Sequence, residues 1–111
     1  MIVRDLTEIE ALSVDVAGAK GVTKRVLISE VDGAPNFIMR QFSIRPGGNT
    51  PYHTHDWEHV IYVLSGAGQV KHSEGVHNLK AGGSALVLPN EEHGFVNTGD
   101  KPLVFLCSIP K

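Results

Sequence analysis

The sequence has little of several things that would place a protein quickly. Its 111 residues contain one cysteine, Cys107, which excludes an internal disulfide and any multi-cysteine zinc site. Charge of either sign is modest: ten lysines and arginines against twelve aspartates and glutamates leave a formal net charge of −2. That balance provides no basic footprint for nucleic acid and no polybasic patch for a membrane, so neither partner is expected. No apolar run approaches the ~20 residues of a spanning helix, and Met1 to Leu12 lacks a positively charged start followed by an apolar core. A cytoplasmic location is the resulting expectation. There is also no Ser-His-Asp pattern, phosphate loop or CxxC pair to support hydrolytic, nucleotide or dithiol chemistry.

Turn residues, by contrast, are abundant. Twelve glycines and six prolines in so short a chain punctuate it at intervals that suit short strands better than helices. Strand-like runs are predicted at Gly21 to Ile28, Asn36 to Ile44, Val60 to Leu64, Gln69 to Ser73, Val76 to Lys80, Ser84 to Leu88, His93 to Asn97 and Leu103 to Ile109. Arg45-Pro46-Gly47-Gly48 is expected to end the second of these. Val60 to Leu64 is apolar at nearly every position and reads as a strand packed on both faces. Residues 1–20 form an arm that is either a helical turn or two, from the spacing of Leu6, Ile9 and Leu12, or an extended segment. Together these features predict one all-β domain over residues 1–111, a sandwich or closed barrel of nine or ten strands.

Three of the six histidines, His53, His55 and His59, fall within seven positions and share parity. In an extended strand they would project to one face. Convergent imidazoles are the commonest protein ligands for divalent transition metals, and three of them require at least one more ligand from elsewhere. His72 and His77, in the polar hairpin, are expected to face solvent.

The pattern Gly47, five residues, His53-Thr54-His55, three residues, His59, six residues, Gly66 resembles the first motif of the cupin superfamily, with His59 where that family usually has glutamate. Residues 83–97 resemble the second motif through Gly83, Pro89, His93 and Asn97, although the link from proline to histidine is one residue short and Glu91 replaces its glycine. The motifs span residues 47–66 and 83–97. Ala34 to Arg40 and Phe105 to Pro110 further resemble small single-domain cupins that bind manganese through four histidines.

The resemblance implies a double-stranded β-helix, or jelly roll, with His53, His55, His59 and His93 converging on one divalent metal. Manganese is the first expectation, with iron, nickel, copper and zinc as alternatives. It also implies a homodimer whose N-terminal arm crosses to a partner's sheet. Four neutral imidazoles leave an octahedral ion two open positions, which would suit a small-molecule oxygenase, that is, a dioxygenase or other oxidoreductase. A non-catalytic module that binds or senses a small ligand is the alternative, and closed tetrahedral zinc would make the site structural. Trp57, Ile61, Phe95, Phe105 and Cys107 share the ligands' parity and are either pocket lining or plain core. Cys107 is a small filler or a thiol touching a ligand. Arg40 and Tyr52 are candidates to orient a substrate, Arg40 having a solvent-facing edge position as its alternative. Glu58 either orients an imidazole or faces outward.

Overall fold

A computed structural model describes all 111 residues. The strands are β1 (Leu12–Ser13), β2 (Lys20–Ile28), β3 (Phe37–Asn49), β4 (His59–Ser65), β5 (Ala67–His72), β6 (Gly75–Lys80), β7 (Ser84–Val87), β8 (His93–Val96) and β9 (Leu103–Pro110). Hydrogen-bonded neighbours run β6-β5-β8-β3-β9-β4-β7, with β2 on β3 and β1 on β2. Every pairing is antiparallel. The fold is all-β, as the turn chemistry predicts. Its only helical turns are 3-10 turns at Leu6–Glu8 and Glu30–Asp32, each closed by a capping box. No helix is long and apolar enough to cross a membrane.

Strand β3 organises the barrel. Its first part pairs with β9 from Phe37↔Pro110 to Ile44↔Leu103 and with β2 on the other side, while Asn49 at its end pairs with Val96 of β8. One strand thus belongs to both halves, and the sheet curls into a nearly closed barrel. The sequence predicts that this strand stops before Arg45-Pro46-Gly47-Gly48, yet it runs on to Asn49. Three local features allow it. Pro46 is exposed, Gly47 takes φ +78°, and the pairing with β2 shifts register between Lys20 and Val22. Gly48 is also required there, since a Cβ would stand 2.5 Å from the Lys20 carbonyl oxygen.

The core consists of side chains from every layer of this curl: Val22, Ile44, Ile61, Val63, Leu103 and Phe105 are all at most 3% exposed. Burying each contributes about 1.5–3 kcal/mol. Phe105 stacks on Phe42 at 5.6 Å and packs at a tilt against Phe95 at 4.8 Å between ring centroids, so the core continues directly into the barrel's mouth. Strand β4 departs from expectation. It buries His59, Ile61 and Val63 but leaves Val60, Tyr62 and Leu64 facing outward. It is half-buried with strict alternation, because only its inner face meets the barrel core.

The arm is partly extended. Leu12 and Ser13 pair with Lys24 and Thr23 of the chain's own β2. Arg4 reaches back to Asp32 in the chain's one ion pair, at 2.8 Å. That contact, with a hydrogen bond from Ser29 N–H, holds the Asp32 carboxyl down at about 2.

Candidate metal centre

The segment between β3 and β4 crosses the mouth of the barrel and is not a strand. The shared parity of His53, His55 and His59 is therefore not what brings them together. Backbone hydrogen bonds to the far side of the mouth do so instead. Thr50 N–H donates to Phe95 O at 2.9 Å, and Asn90 N–H donates to His55 O at 2.6 Å. His53 N–H donates to His93 O at 3.0 Å, and His93 N–H returns a bond to His53 O at 2.9 Å. The Thr50 hydroxyl adds a bond from Phe95 N–H at 2.8 Å. His59 then starts β4 and points inward at 7% exposure.

On the opposite side, Pro89 ends the run after β7 because it cannot extend a ladder. Asn90 takes φ +66°, the left-handed conformation that asparagine tolerates better than most residues. This turn does without the glycine that the second motif usually carries at the position of Glu91. Glu91 caps it, accepting from Leu88 N–H at 3.0 Å. Its carbonyl accepts from His93 Nδ1 at 2.9 Å, which fixes a proton on Nδ1 and leaves Nε2 free to bind an ion.

The ligand atoms of His53, His55 and His93 lie within 4.8 Å of one another and can hold a metal ion. His59 packs against this triad. Its ring centroid is 5.0 Å from that of His93, and its Nε2 is 2.6 Å from His55 Nε2. Two nitrogens bound at right angles to one ion, at ~2.1 Å each, would be about 3 Å apart. The present spacing is a hydrogen bond between imidazoles that a few tenths of an ångström of ring movement would convert to shared ligation. On its other side, His59 Nδ1 meets the Cys107 sulfur at 3.1 Å.

The electrostatics fit a cation-binding role. Burial, then the neighbouring His93, lower the proton affinity of His53 and His55. Burial, His93 and Arg40 push His59 down to about 3. These rings are thus poised as neutral lone-pair donors. An imidazole set suits zinc, copper, iron and nickel, whereas manganese is better served by oxygen donors, so the site's own chemistry gives no support to the manganese expectation.

The histidines open into a cavity of about 650 Å³ lined also by Arg40, Tyr52, Phe95, Phe105 and Cys107. Arg40 is therefore in the cavity rather than at a solvent edge. Its Nη2 donates to the Cys107 sulfur at 3.1 Å, and its guanidinium lies 4.9 Å over the Phe42 ring. Burial raises the Cys107 thiol while Arg40 opposes that shift. Partial burial and the nearby Glu92 raise the Tyr52 hydroxyl. Trp57 and Ile61 do not line the cavity. Trp57 stacks flat on His55 at 4.4 Å from outside, and Ile61 is core. Glu58 is exposed. His72 and His77 stack on each other at 4.8 Å, with His77 exposed and His72 half-buried.

Sequence reasoning missed the walls that come from distant segments: Val14, Val16 and Ala17 of the arm, and Val22, Lys24 and Phe42 of β2 and β3. For β2 and β3 a signal existed in the alternation of Val22, Lys24 and Val26 against Arg40, Phe42 and Ile44. For the arm there was none.

A curled β-barrel whose mouth gathers histidines from two separated segments over an apolar cavity defines a cupin with a potential metal site. Residues 40–109 match the cupin domain family, and the chain belongs to it. Over 81 residues it is 32% identical to Protein SchB of Streptomyces halstedii, a match covering 72% of this chain and 59% of SchB, so the chain spans less than two thirds of that relative. Its structure is similar to that of the polyketide cyclase RemF from Streptomyces resistomycificus, with a TM-score of 0.93 and 35% identity over 99% of this chain and 79% of RemF. A cupin-2 domain protein of Rhodospirillum rubrum, Rru_A2000, has a TM-score of 0.87 at 22% identity, covering 98% of this chain and 74% of that one, a likeness of fold alone. Of these, the protein most similar in sequence over the whole chain is thus one described as a polyketide cyclase, where the sequence alone suggests an oxygenase.

Proposed function

We propose that this cupin is a metal-dependent cyclase that folds an enolisable polyketone-like molecule and closes a ring in it by intramolecular aldol condensation. The observation that carries this reading is the cavity. Convergent imidazoles sit at one end of about 650 Å³ of largely apolar space walled by Phe42, Phe95 and Phe105, a volume that takes a small polycyclic molecule. The 35% identity to a polyketide cyclase over nearly the whole chain supports the same reaction class.

His53, His55 and His93, with His59 as fourth ligand, would hold a divalent ion. When bound, that ion supplies Lewis acidity to a carbonyl oxygen and so acidifies the adjacent carbon. The rest falls to the chain itself. Glu91 O fixes the tautomer of His93, and Cys107 orients His59. The aromatic walls hold the extended molecule bent, so that the carbon losing its proton and the carbonyl carbon it attacks meet within one molecule. The carbon's proton would pass to a solvent water at the cavity mouth; Tyr52, which lines the cavity with its hydroxyl held protonated, would give a proton to the new alkoxide and regain one from that solvent, after which one water is lost.

The test is incubation of the metal-loaded protein with a linear aromatic-forming polyketone. Ring closure should appear as new aromatic absorbance with loss of one water by mass and no oxygen uptake. Oxygen consumption coupled to product would overturn the cyclase reading in favour of an oxygenase. Tight binding of the polyketone without turnover would overturn it in favour of a non-catalytic binding module.

A further inference from the structure

We propose that Lys24 and Arg40 form a two-cation shelf that recognises a planar two-oxygen anion on the molecule entering the cavity, either a carboxylate or the enolate of a 1,3-dicarbonyl. The shelf follows from strand register. Lys24 of β2 stands opposite Phe42 of β3, and Arg40 lies two residues along β3 on the same inward face. Such diagonal neighbours are ~7–8 Å apart at the backbone, within reach of two long side chains converging on one group. Both line the cavity.

Neither cation has an acidic partner. The chain's one ion pair is Arg4–Asp32, neither of which lines the cavity, and no aspartate or glutamate lines it. Arg40 donates one Nη2 bond to a sulfur, which is a weak acceptor, and its Nε has no hydrogen-bond partner. A guanidinium left this way in a partly buried apolar cavity is costly unless an anion completes it. The arrangement also runs against the chain as a whole, whose net charge is −2. Phe42, stacked on Phe105, takes the Arg40 guanidinium over its ring at 4.9 Å and so fixes where that cation stands. The shelf touches the metal ligands at one point, through the Cys107 sulfur that Arg40 and His59 share, so an anion on the shelf is beside the proposed ion rather than on it.

This inference rests on the reading of the cavity as the substrate site, and not on ring closure, so its test measures binding. Calorimetry on the metal-loaded protein would compare naphthalene-2-carboxylate with the isosteric neutral naphthalene-2-carboxamide, and separately follow the enolate of 2-acetylcyclohexane-1,3-dione. The carboxylate should bind at least about 10-fold tighter than the amide, as a charge-assisted pair provides. Lys24→Met should cut that preference about threefold and the Lys24→Met/Arg40→Met double variant should abolish it, for whichever anion is held. His53→Ala/His93→Ala, which removes the ion, should keep it. No preference in the parent protein, or one that survives the double cation variant, overturns the inference. So does a preference lost only with the histidines, which assigns the anion to the metal. Near-UV circular dichroism checks that Arg40→Met retains the fold; if it does not, Lys24→Met, which touches neither Cys107 nor a histidine, decides alone. Selective anion binding without turnover would leave the shelf standing and the cyclase reading refuted, whereas turnover indifferent to Lys24 and Arg40 would do the reverse.

Discussion

His59 Nδ1 and the Cys107 sulfur stand 3.1 Å apart in the buried half of the metal site. If Nε2 is to face an ion, the proton must be on Nδ1, and the sulfur is its only acceptor there. Partners of this kind typically change metal affinity 10–100-fold when removed. Replacing Cys107 by valine, which keeps volume and removes the acceptor, should therefore weaken metal binding about tenfold in a chelator-competition titration, while Cys107→Ser should stay within about threefold. Equal affinity in both variants would mean that the thiol is only core filler.

The same titration separates ligands from bystanders. With His59 as the proposed fourth ligand, His59→Ala should lower metal affinity about 100-fold. His72→Ala should leave it unchanged, because His72 stacks on His77 in the β5–β6 hairpin. Unchanged affinity for His59→Ala would restrict the centre to His53, His55 and His93.

Acid should destabilise the metal-free protein earlier than its carboxylates require. His59 falls to about 3 in the fold, and His53 and His55 are also lowered from 6.5. Below pH 6.5 the unfolded chain therefore binds more protons than the folded one, and stability drops as pH falls from there toward about 3. His59 alone gives a slope of about 1.4 kcal/mol per pH unit through the middle of that window. Asp32, held at about 2, adds its own loss only below the ordinary carboxylate range. Urea unfolding at a series of pH values should show the slope, and His59→Gln should flatten it; a flat profile between pH 6.5 and 5 would contradict the site's electrostatics.

Asn97 is 2% exposed and closes the turn before β9. Its Nδ2 donates to Ile44 O at 2.7 Å and Lys101 O at 2.8 Å, and its Oδ1 accepts from Gly99 N–H at 2.9 Å. Asn97→Ala strands all three backbone groups, so a loss of about 2–4 kcal/mol is expected. For a domain of this size that lowers Tm by roughly 10–20 °C. Metal affinity at low temperature should be retained, because Asn97 touches no histidine. Calorimetric melts of the loaded and metal-free forms test both halves.

Which parts of this were legible beforehand has a physical pattern. Gly66 could be read as a turn glycine and takes φ +83° between β4 and β5, whereas Gly47, read the same way, takes φ +78° inside β3. Strand positions followed from β-branched and aromatic runs, but the burial of Val60 to Leu64 did not, since apolar composition cannot distinguish a two-sided strand from one with an apolar outer face. His93 could be found because the spacing that places it is local. Its tautomer could not, because that depends on the Glu91 carbonyl. The grouping of His53, His55 and His59 was anticipated from strand parity, whereas a mouth-crossing segment tied to β8 produces it. Lys24 shares the alternation of Val22 and Val26, but that pattern alone does not mark a lysine as inward-facing; the register with Phe42 does.

The paired backbone bonds between His53 and His93 have a kinetic consequence. They join ligands from two distant segments through main-chain contacts that involve no side chain, so the imidazoles are gathered whether or not an ion is there. Loading then requires no folding step. Its observed rate should rise in proportion to metal concentration without reaching a plateau, and the amides of both residues should resist solvent exchange alike before and after the ion arrives.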